Sequence, residues 1–263
     1  MRHGNYALLL TAAVFAAVPA LAQQSAQLPK FPTSPPPVTA ENSIIGPSYA
    51  NAPESVAVDS VPQGDVREFI LYSQDSKIYP GIVRVGTMQR DVHGNYVVPA
   101  GTSLSAPGPY ERHVYVYVPR QLAPGASAPF MVVQDGHSYV RRMTNILDNM
   151  IAAKRLPPMV VVFPDSGGSD AQGSERGLEY DTMSDRYSNW VESELLPAVT
   201  KNYGVTFTSD PEGRATMGGS SGAAAAFTMA WYHPERYHKV LSYSGTFVNQ
   251  AWPPDPATRP RSG

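Results

Sequence analysis

The chain has 263 residues, a formal net charge of −2 and no cysteine. A near-neutral charge with scattered basic residues excludes the basic footprint of a nucleic-acid-binding protein and the polybasic patch of a membrane-surface protein. The length suits one α/β domain with an appendage, and the absence of cysteine excludes disulfides.

The first 22 residues have the pattern of a secretory signal peptide. A short polar start precedes an apolar run over residues 6–18, and residues 20–22 form a small-x-small cleavage site. We therefore expect cleavage after Ala22 and a periplasmic or secreted protein. The alternative is an uncleaved N-terminal anchor, but the run is short for a membrane span, and no later stretch is long and apolar enough to be one.

Residues 23–60 are predicted to be an extended, proline-rich linker. Five of the 26 prolines of the chain fall between positions 29 and 37, and proline-rich segments favour extended conformations. The folded domain is then expected over residues 61–258, followed by an irregular tail at residues 259–263.

The first half of the domain is predicted to be rich in strands. Residues 66–71 and 113–118 alternate between apolar and polar side chains, which is typical of strands with one apolar face. Residues 78–106 between them are rich in glycine, proline and polar residues. This composition favours loops with a short hairpin around Gly94, and it predicts a β-rich N-terminal extension.

The second half alternates between apolar runs and segments of helical periodicity. The predicted elements are a strand at 130–133, a helix around 143–151 ended by prolines 157 and 158, a strand at 159–163, a helix at 185–203 kinked at Pro197, a strand at 214–217, a helix at 223–231 and a strand at 240–243. Strands that alternate with helices predict a mostly parallel sheet flanked by helices. Active residues should lie at the carboxyl ends of its strands.

Residues 218–222 read Gly-Gly-Ser-Ser-Gly, which is the G-x-S-x-G spacing of a nucleophile elbow with Ser220 at its centre. Such an elbow is a strained turn from a strand into a helix, and small residues are needed on both sides of the serine. The alternatives are a tight turn without chemistry or a phosphate-cradling loop. The loop is disfavoured because no Lys-Ser or Lys-Thr follows the glycines. We therefore predict that Ser220 is a catalytic nucleophile.

Three predicted strand ends converge on the edge of the sheet that carries the elbow. An oxyanion hole is expected from the backbone N–H groups of Ser221 and Gly136, and Asp135, His137 and Asp165 are candidate pocket residues. A solvent-exposed loop position near the site is the favoured interpretation of His137. For the two aspartates, capping of the following segments is favoured over contact with a substrate.

The remaining titratable residues give weaker signals. Arg176 and Glu179 either form a structural ion pair or line the acyl pocket, and the sequence leaves both possibilities open. His233 and His238 flank the turn after the last helix, so we expect them at the end of the sheet opposite Ser220. No histidine pair at ligand spacing meets a carboxylate and cysteine is absent, so no metal or other cofactor is expected.

Several motifs follow one another in a specific order, and they lie at residues 129–136, 162–165, 176–180, 194–197, 214–222, 233–237 and 242–245. Together they resemble the enterochelin-esterase-like branch of the esterase D group of α/β-hydrolases. The resemblance implies that Ser220 attacks a small-molecule ester and that a histidine paired with a carboxylate removes its proton. Members of the group act on siderophore lactones, acylated sugars and small acyl esters.

One departure from this group concerns the C-terminus. In the group, the acid and the histidine follow the serine, on loops beyond the Ser-Gly strand. Here residues 251–263 have no strand or helix pattern. We therefore expect the last strands to be missing and the chain to be a truncated, weakly active or inactive esterase. The alternatives are a non-catalytic ligand-binding protein of this fold and an acyltransferase to a sugar acceptor.

Overall fold

A computed structural model describes residues 50–87, 89–94, 96–168 and 175–247. They belong to a compact unit that begins at Ala50. The predicted signal peptide, most of the predicted linker, the predicted tail and the expected C-terminal departure lie outside the described residues. Within the described part, no helix has the length and apolar character needed to cross a membrane.

Twelve strands and five α-helices are assigned in the described residues. The strands are β1 (Asp65–Tyr72), β2 (Ile82–Arg84), β3 (Gln89–Arg90), β4 (Tyr96–Val97), β5 (Ser105–Pro107), β6 (Glu111–Val118), β7 (Ser127–Ala128), β8 (Phe130–Val133), β9 (Val160–Pro164), β10 (Thr206–Phe207), β11 (Arg214–Gly219) and β12 (Lys239–Tyr243). The helices are α1 (Gly136–Ala152), α2 (Glu175–Tyr180), α3 (Arg186–Trp190), α4 (Leu196–Tyr203) and α5 (Ser221–Tyr232).

Six of the strands form one sheet in the order β1-β6-β9-β8-β11-β12. β1, β6 and β9 pair in antiparallel fashion, whereas β9, β8, β11 and β12 are parallel. The small pairs β2–β5 and β3–β4 belong to the N-terminal half. The predicted mostly parallel sheet with a β-rich N-terminal extension is therefore confirmed. Because β9, β8 and β11 are neighbours, the loops at their carboxyl ends lie side by side.

The central strands of the sheet are buried on both faces, whereas the outer strands β1 and β12 are largely exposed. On one face lie Val114, Val116, Val132, Val160 and Val162, packed with Trp190, Val191, Leu195 and Val199 of the long helical segment. On the other face lie Tyr117, Val133, Val161, Phe163 and Met217, packed with Val140, Leu147 and Ile151 of α1. Each fully buried side chain of this size stabilises the fold by about 1.5–3 kcal/mol, so the central strands are a rigid support for the loops at their ends.

α1 begins earlier than its periodicity predicts. The helix starts at Gly136 rather than near residue 143, and Asp135 before it has a left-handed backbone with a φ of 57°. This conformation reverses the chain directly from β8 into the helix. Residues 136–139 are glycine and polar or aromatic residues without an apolar repeat, so periodicity cannot detect the first turn. As a result, Gly136 and His137 lie on a helix rather than in a loop.

The predicted helix at 185–203 is present in three consecutive segments. α3 continues into a π-helical turn at Val191–Leu195, which leads into α4. Pro197 has no N–H and cannot bond to the carbonyl of Ser193, and a wider turn before it accommodates the missing bond. The predicted disturbance at Pro197 therefore takes the form of a π-helical turn.

A short segment inside the predicted linker contacts α1. The side-chain amide of Asn149 donates to the carbonyls of Glu54 and Val56, each at 2.8 Å, and that of Asn145 donates to the carbonyl of Ser55 at 3.1 Å. These bonds tie residues 53–56 to the outer surface of the helix. The linker was predicted from the prolines of residues 29–37. Composition cannot predict that a segment later in this linker is held to α1 by side-chain hydrogen bonds.

Candidate active site

Ser220 lies at the turn between β11 and α5 and has a strained backbone. Its φ of 54° and ψ of −126° are rarely adopted by a residue with a side chain, and such conformations cost on the order of 1–3 kcal/mol. The N–H of Ser220 donates to the carbonyl of Tyr243 at 3.1 Å, and its own carbonyl accepts from Ala223 at 3.0 Å and from Thr246 at 3.2 Å. These bonds hold the turn, and the residue is exposed at the end of the strand.

The two glycines that precede Ser220 lie in close packing. A Cβ on Gly218 would lie 2.2 Å from the carbonyl oxygen of Gly222, and one on Gly219 would lie 2.4 Å from the hydroxyl of Tyr139. Atoms cannot approach this closely, so neither position tolerates a side chain without a shift. The spacing of small residues in the motif therefore has a steric cause at this turn.

The hydroxyl of Ser220 has a threonine as its neighbour. Its Oγ lies 3.0 Å from Oγ1 of Thr246, and among the described residues no histidine hydrogen bonds to it. His233 and His238 pair with Glu235 and Glu212 at the end of the sheet where β11 and β12 begin. Thr246 was missed by the sequence analysis, although the Ser-Gly motif of residues 242–245 ends directly before it.

The backbone N–H groups near the turn include some that are already bonded and some that are available. The N–H of Asp135 donates to the hydroxyl of Tyr180 at 3.1 Å, and that of His137 donates to Oδ1 of Asp165 at 2.8 Å. The N–H groups of Gly136 and Ser221, the first residues of α1 and α5, have no hydrogen bond within the described part of the chain. Both helix starts thus present a free donor at the same edge of the sheet.

Asp135 forms an ion pair instead of capping α1. Both of its carboxylate oxygens accept hydrogen bonds from Arg176, from Nε at 3.1 Å and from Nη2 at 2.9 Å, and both side chains are largely buried. No side chain caps α1 from the N-cap position, so the capping interpretation is wrong for Asp135. Asp165 bonds to the first turn of α1 across the sheet edge rather than to the segment that follows it in sequence.

His137 and Ser220 line the same cleft. The cleft has a volume of about 530 Å³, and its walls include Ser138, Tyr139 and Arg176. Nδ1 of His137 lies 2.8 Å from Oδ1 of Asp165, and its Nε2 lies 3.2 Å from the hydroxyl of Ser138. The side chain of His137 is 64% exposed, which agrees with the solvent-exposed position expected from the sequence. Its hydrogen bond to Asp165 was not expected from the sequence.

A buried ion pair supports the loop after β9. Arg112 pairs with Glu179, and the two side chains are 2% and 0% exposed. Glu179 also accepts from the N–H of Gly167 at 3.2 Å, and Arg112 donates to the carbonyl of Asp165 at 2.5 Å. Arg176 and Glu179 therefore do not pair with each other. Arg176 lines the cleft, whereas Glu179 forms its ion pair with Arg112.

Two further buried acids lie near these groups. Burial, together with the charge of Glu179, raises the pKa of Glu175 to about 7, although its carboxylate accepts from the N–H of Ile82 at 2.8 Å. Burial also raises the pKa of Asp181 to about 6, against the lowering effects of the neighbouring Ser221 side chain and the charge of Arg176. Neither of its buried carboxylate oxygens has a hydrogen-bond partner in the described part of the chain. No motif in the sequence marks Asp181 as a candidate residue of the site.

Comparison with known families places the chain among esterases. Residues 105–261 match the family model described as "Putative esterase". The iron(III) enterobactin esterase of Dickeya dadantii (strain 3937) is 29% identical over 147 residues, which are 54% of this chain and 31% of that protein. The uncharacterized protein YbbA of Bacillus subtilis (strain 168) is 24% identical over 154 residues, 55% of this chain and 61% of its own length. The chain thus spans less than two thirds of either relative.

A solved esterase structure shares the fold. The CE1 ferulic acid esterase of the anaerobic fungus Anaeromyces mucronatus gives a TM-score of 0.50 at 14% identity, over 73% of this chain and 63% of that one. At this identity the likeness concerns the fold alone. Together with the sheet order and the flanking helices, it confirms the predicted α/β-hydrolase-type architecture.

Proposed function

Because the chain belongs to the esterase family whose model matches residues 105–261, we propose that it is a serine carboxylic-ester hydrolase acting through an acyl-enzyme on Ser220. The observation that carries the proposal is the strained turn at Ser220, whose exposed side chain directly precedes α5 and lines the same cleft as the first turn of α1. The substrate is a small-molecule ester, in keeping with the enterobactin esterase to which the chain is 29% identical.

The proposed chemistry uses the three groups at the sheet edge. Oγ of Ser220 attacks the carbonyl carbon of the ester, and the N–H groups of Ser221 and Gly136 stabilise the oxyanion that develops. Such preorganised donors act on charge that appears in the transition state, and removing one typically costs about 10²–10³ in kcat. The alcohol then leaves, and water hydrolyses the acyl group from Ser220.

We also propose that the protein is exported. The support is the signal-peptide pattern of the first 22 residues, with cleavage after Ala22. The mature protein would then begin at Gln23 and act in the periplasm or outside the cell.

One observation favours a second candidate function. The hydroxyl of Ser220 bonds to Thr246, and a threonine hydroxyl cannot serve as a base at neutral pH. A hydrolase fold whose serine lacked a base would bind an ester or a carbohydrate without turning it over. Reactivity of Ser220 distinguishes this candidate from an esterase.

A fluorophosphonate probe tests the proposal on the protein expressed from its full chain. We expect the probe to label the wild type and Ser220→Ala to abolish labelling, because the probe reacts with activated serines. Ser244→Ala is the matched control, since Ser244 lines the same cleft and also has a positive φ, of 45°. That variant should be labelled like the wild type.

Three outcomes would contradict parts of the proposal. Labelling that survives Ser220→Ala would exclude Ser220 as the nucleophile, and a wild type that is never labelled would favour the ligand-binding candidate. Mass spectrometry of the labelled protein should show an N-terminus at Gln23. A labelled, exported protein that retains residues 1–22 would contradict the proposed cleavage.

A further inference from the structure

The imidazole of His137 is held in one orientation by a carboxylate. Its Nδ1 lies 2.8 Å from Oδ1 of Asp165. An ionised carboxylate can only accept hydrogen bonds, so this contact assigns the proton of the neutral ring to Nδ1 and leaves the lone pair on Nε2. A base that is oriented by a third group is the arrangement found in catalytic triads.

Asp165 is itself fixed to the core. Its N–H donates to the carbonyl of His113 at 2.9 Å, and its carbonyl accepts from Arg112, which is buried in its pair with Glu179. The same Oδ1 that meets the ring accepts the N–H of His137 at 2.8 Å. Backbone and side chain of His137 are therefore positioned together by one carboxylate that cannot easily move.

Among the described residues, the second ring nitrogen of His137, Nε2, has an exposed serine hydroxyl as its partner. Nε2 is 3.2 Å from the exposed hydroxyl of Ser138, and His137 and Ser220 both line the cleft of about 530 Å³. Among the described histidines, only His137 lines this cleft. His113, His233 and His238 pair with glutamates elsewhere on the molecule.

We infer that His137 is a general base of this cleft and that Asp165 is its positioning residue. The inference rests on the proposed esterase function and names a base within the described residues. Since Oγ of Ser220 bonds to Thr246, the proton transfer runs through one water molecule in the cleft, a reach that general bases commonly use.

The hydrolytic step balances without any other reactant. A water oxygen forms a bond to the acyl carbon on Ser220, and one proton of that water passes to Nε2 of His137. The bond between the acyl carbon and Oγ then breaks, and the imidazolium returns its proton to the departing Oγ. In the preceding step, a water bridging Oγ and Nε2 moves the serine proton to the imidazole, which later protonates the leaving alcohol.

The test is chemical rescue with p-nitrophenyl acetate as the substrate. His137→Ala in the full chain should lower kcat by about 10²–10⁴-fold, the usual contribution of a general base, with little change in KM. Added imidazole should restore part of kcat, because a free base can enter the vacated space beside Asp165. Ser220→Ala with the same imidazole is the blank, since imidazole alone hydrolyses this ester.

Two further variants separate catalysis from structure. Asp165→Asn should lower kcat without rescue, because it disturbs the orientation of a ring that is still present. His113→Ala is the matched control, since its ring also pairs with a carboxylate, that of Glu68, but lies outside the cleft. It should keep the wild-type kcat, and the unfolding midpoint of His137→Ala should stay close to that of the wild type.

The inference and the proposed function can fail separately. Unchanged kcat in His137→Ala, or a loss that imidazole does not restore, would overturn the role of His137. A wild type that is labelled at Ser220 by the fluorophosphonate but shows no turnover would also overturn it, while the nucleophile would stand. Turnover that persists in Ser220→Ala would instead overturn the proposed function.

Discussion

The backbone of Ser220 is strained, and the close packing of the glycines on either side of it maintains this conformation. The carbonyl oxygen of Gly222 occupies the space where a Cβ on Gly218 would lie. The tight turn brings the hydroxyl to the sheet edge and places the N–H of Ser221 beside it at the start of a helix. The conformation of a single residue thus links the packing of the turn to its proposed chemistry.

Gly218→Ala is expected to damage this turn. The new Cβ would meet the carbonyl oxygen of Gly222 at 2.2 Å, and overpacking of this kind typically costs about 1–3 kcal/mol. Gly222→Ala is the control, because its Cβ would meet only side-chain atoms of Gln134 and Asp135, at 3.2 and 3.1 Å. Urea unfolding and the rate of fluorophosphonate labelling measure both effects. Equal losses in the two variants would contradict the steric argument.

The sequence predicts the residues of the site that belong to local motifs, but not the pairs that join distant segments. The spacing of small residues pointed to Ser220 as a candidate nucleophile, and the strand ends pointed to Gly136 as a candidate oxyanion donor. The pairing of Asp135 with Arg176, 41 positions later, and of His137 with Asp165, 28 positions later, depends on which strand ends become neighbours. Composition and periodicity carry no information about such side-chain partners.

At the level of elements, apolar pattern predicted the central strands well because they are buried on both faces. β8 and β9 are short, almost entirely apolar runs, and both are present with boundaries close to those expected. The start of α1 was missed because its first turn has no apolar repeat. That turn is part of the site, so periodicity fails where the residues serve the cleft rather than the core.

The buried pair of Arg112 and Glu179 is expected to matter strongly for the loop after β9. Arg112→Leu would leave the carboxylate of Glu179 buried without its cation, and breaking a buried pair in this way costs about 3–5 kcal/mol. It would also remove the hydrogen bond to the carbonyl of Asp165. Urea unfolding measures the loss, and adding Glu179→Leu should recover part of it because the unpaired charge is removed.

Arg67→Leu is the matched control for this ion pair. Arg67 pairs with Asp65 on β1, and both side chains are about half exposed, at 48% and 60%. Exposed pairs contribute only about 0–1 kcal/mol, because water screens the charges. If both arginine variants lowered the free energy of unfolding equally, the burial of Arg112 would not have the importance given to it.

At the scale of the whole molecule, the order of the strands determines which side chains come together at the edge of the sheet. β9, β8 and β11 are neighbours, so the segments that follow them bring Asp165, His137 and Ser220 to one edge. The histidines that follow Ser220 in sequence lie at the opposite end, next to the starts of β11 and β12. The parallel arrangement therefore separates the edge that carries the candidate site from the opposite edge. Burying ionisable groups near this site lowers the stability of the whole fold when they are charged.

Asp181 is 8% exposed, and the pH dependence of the free energy of unfolding measures how much its buried charge destabilises the fold. Burial raises its pKa to about 6 from an ordinary value of 3.8, so the folded state binds this proton more tightly than the unfolded state. The stabilisation is fully present below pH 4 and is lost as the pH rises towards 6. The amide of Asp181→Asn does not titrate. The free energy of unfolding of this variant minus that of the wild type should therefore rise by roughly 2–3 kcal/mol between pH 4 and 7. Urea titrations of both proteins at several pH values between 4 and 7 measure this difference. A constant difference for Asp181→Asn would mean that its carboxyl group is not held in the protonated form by burial.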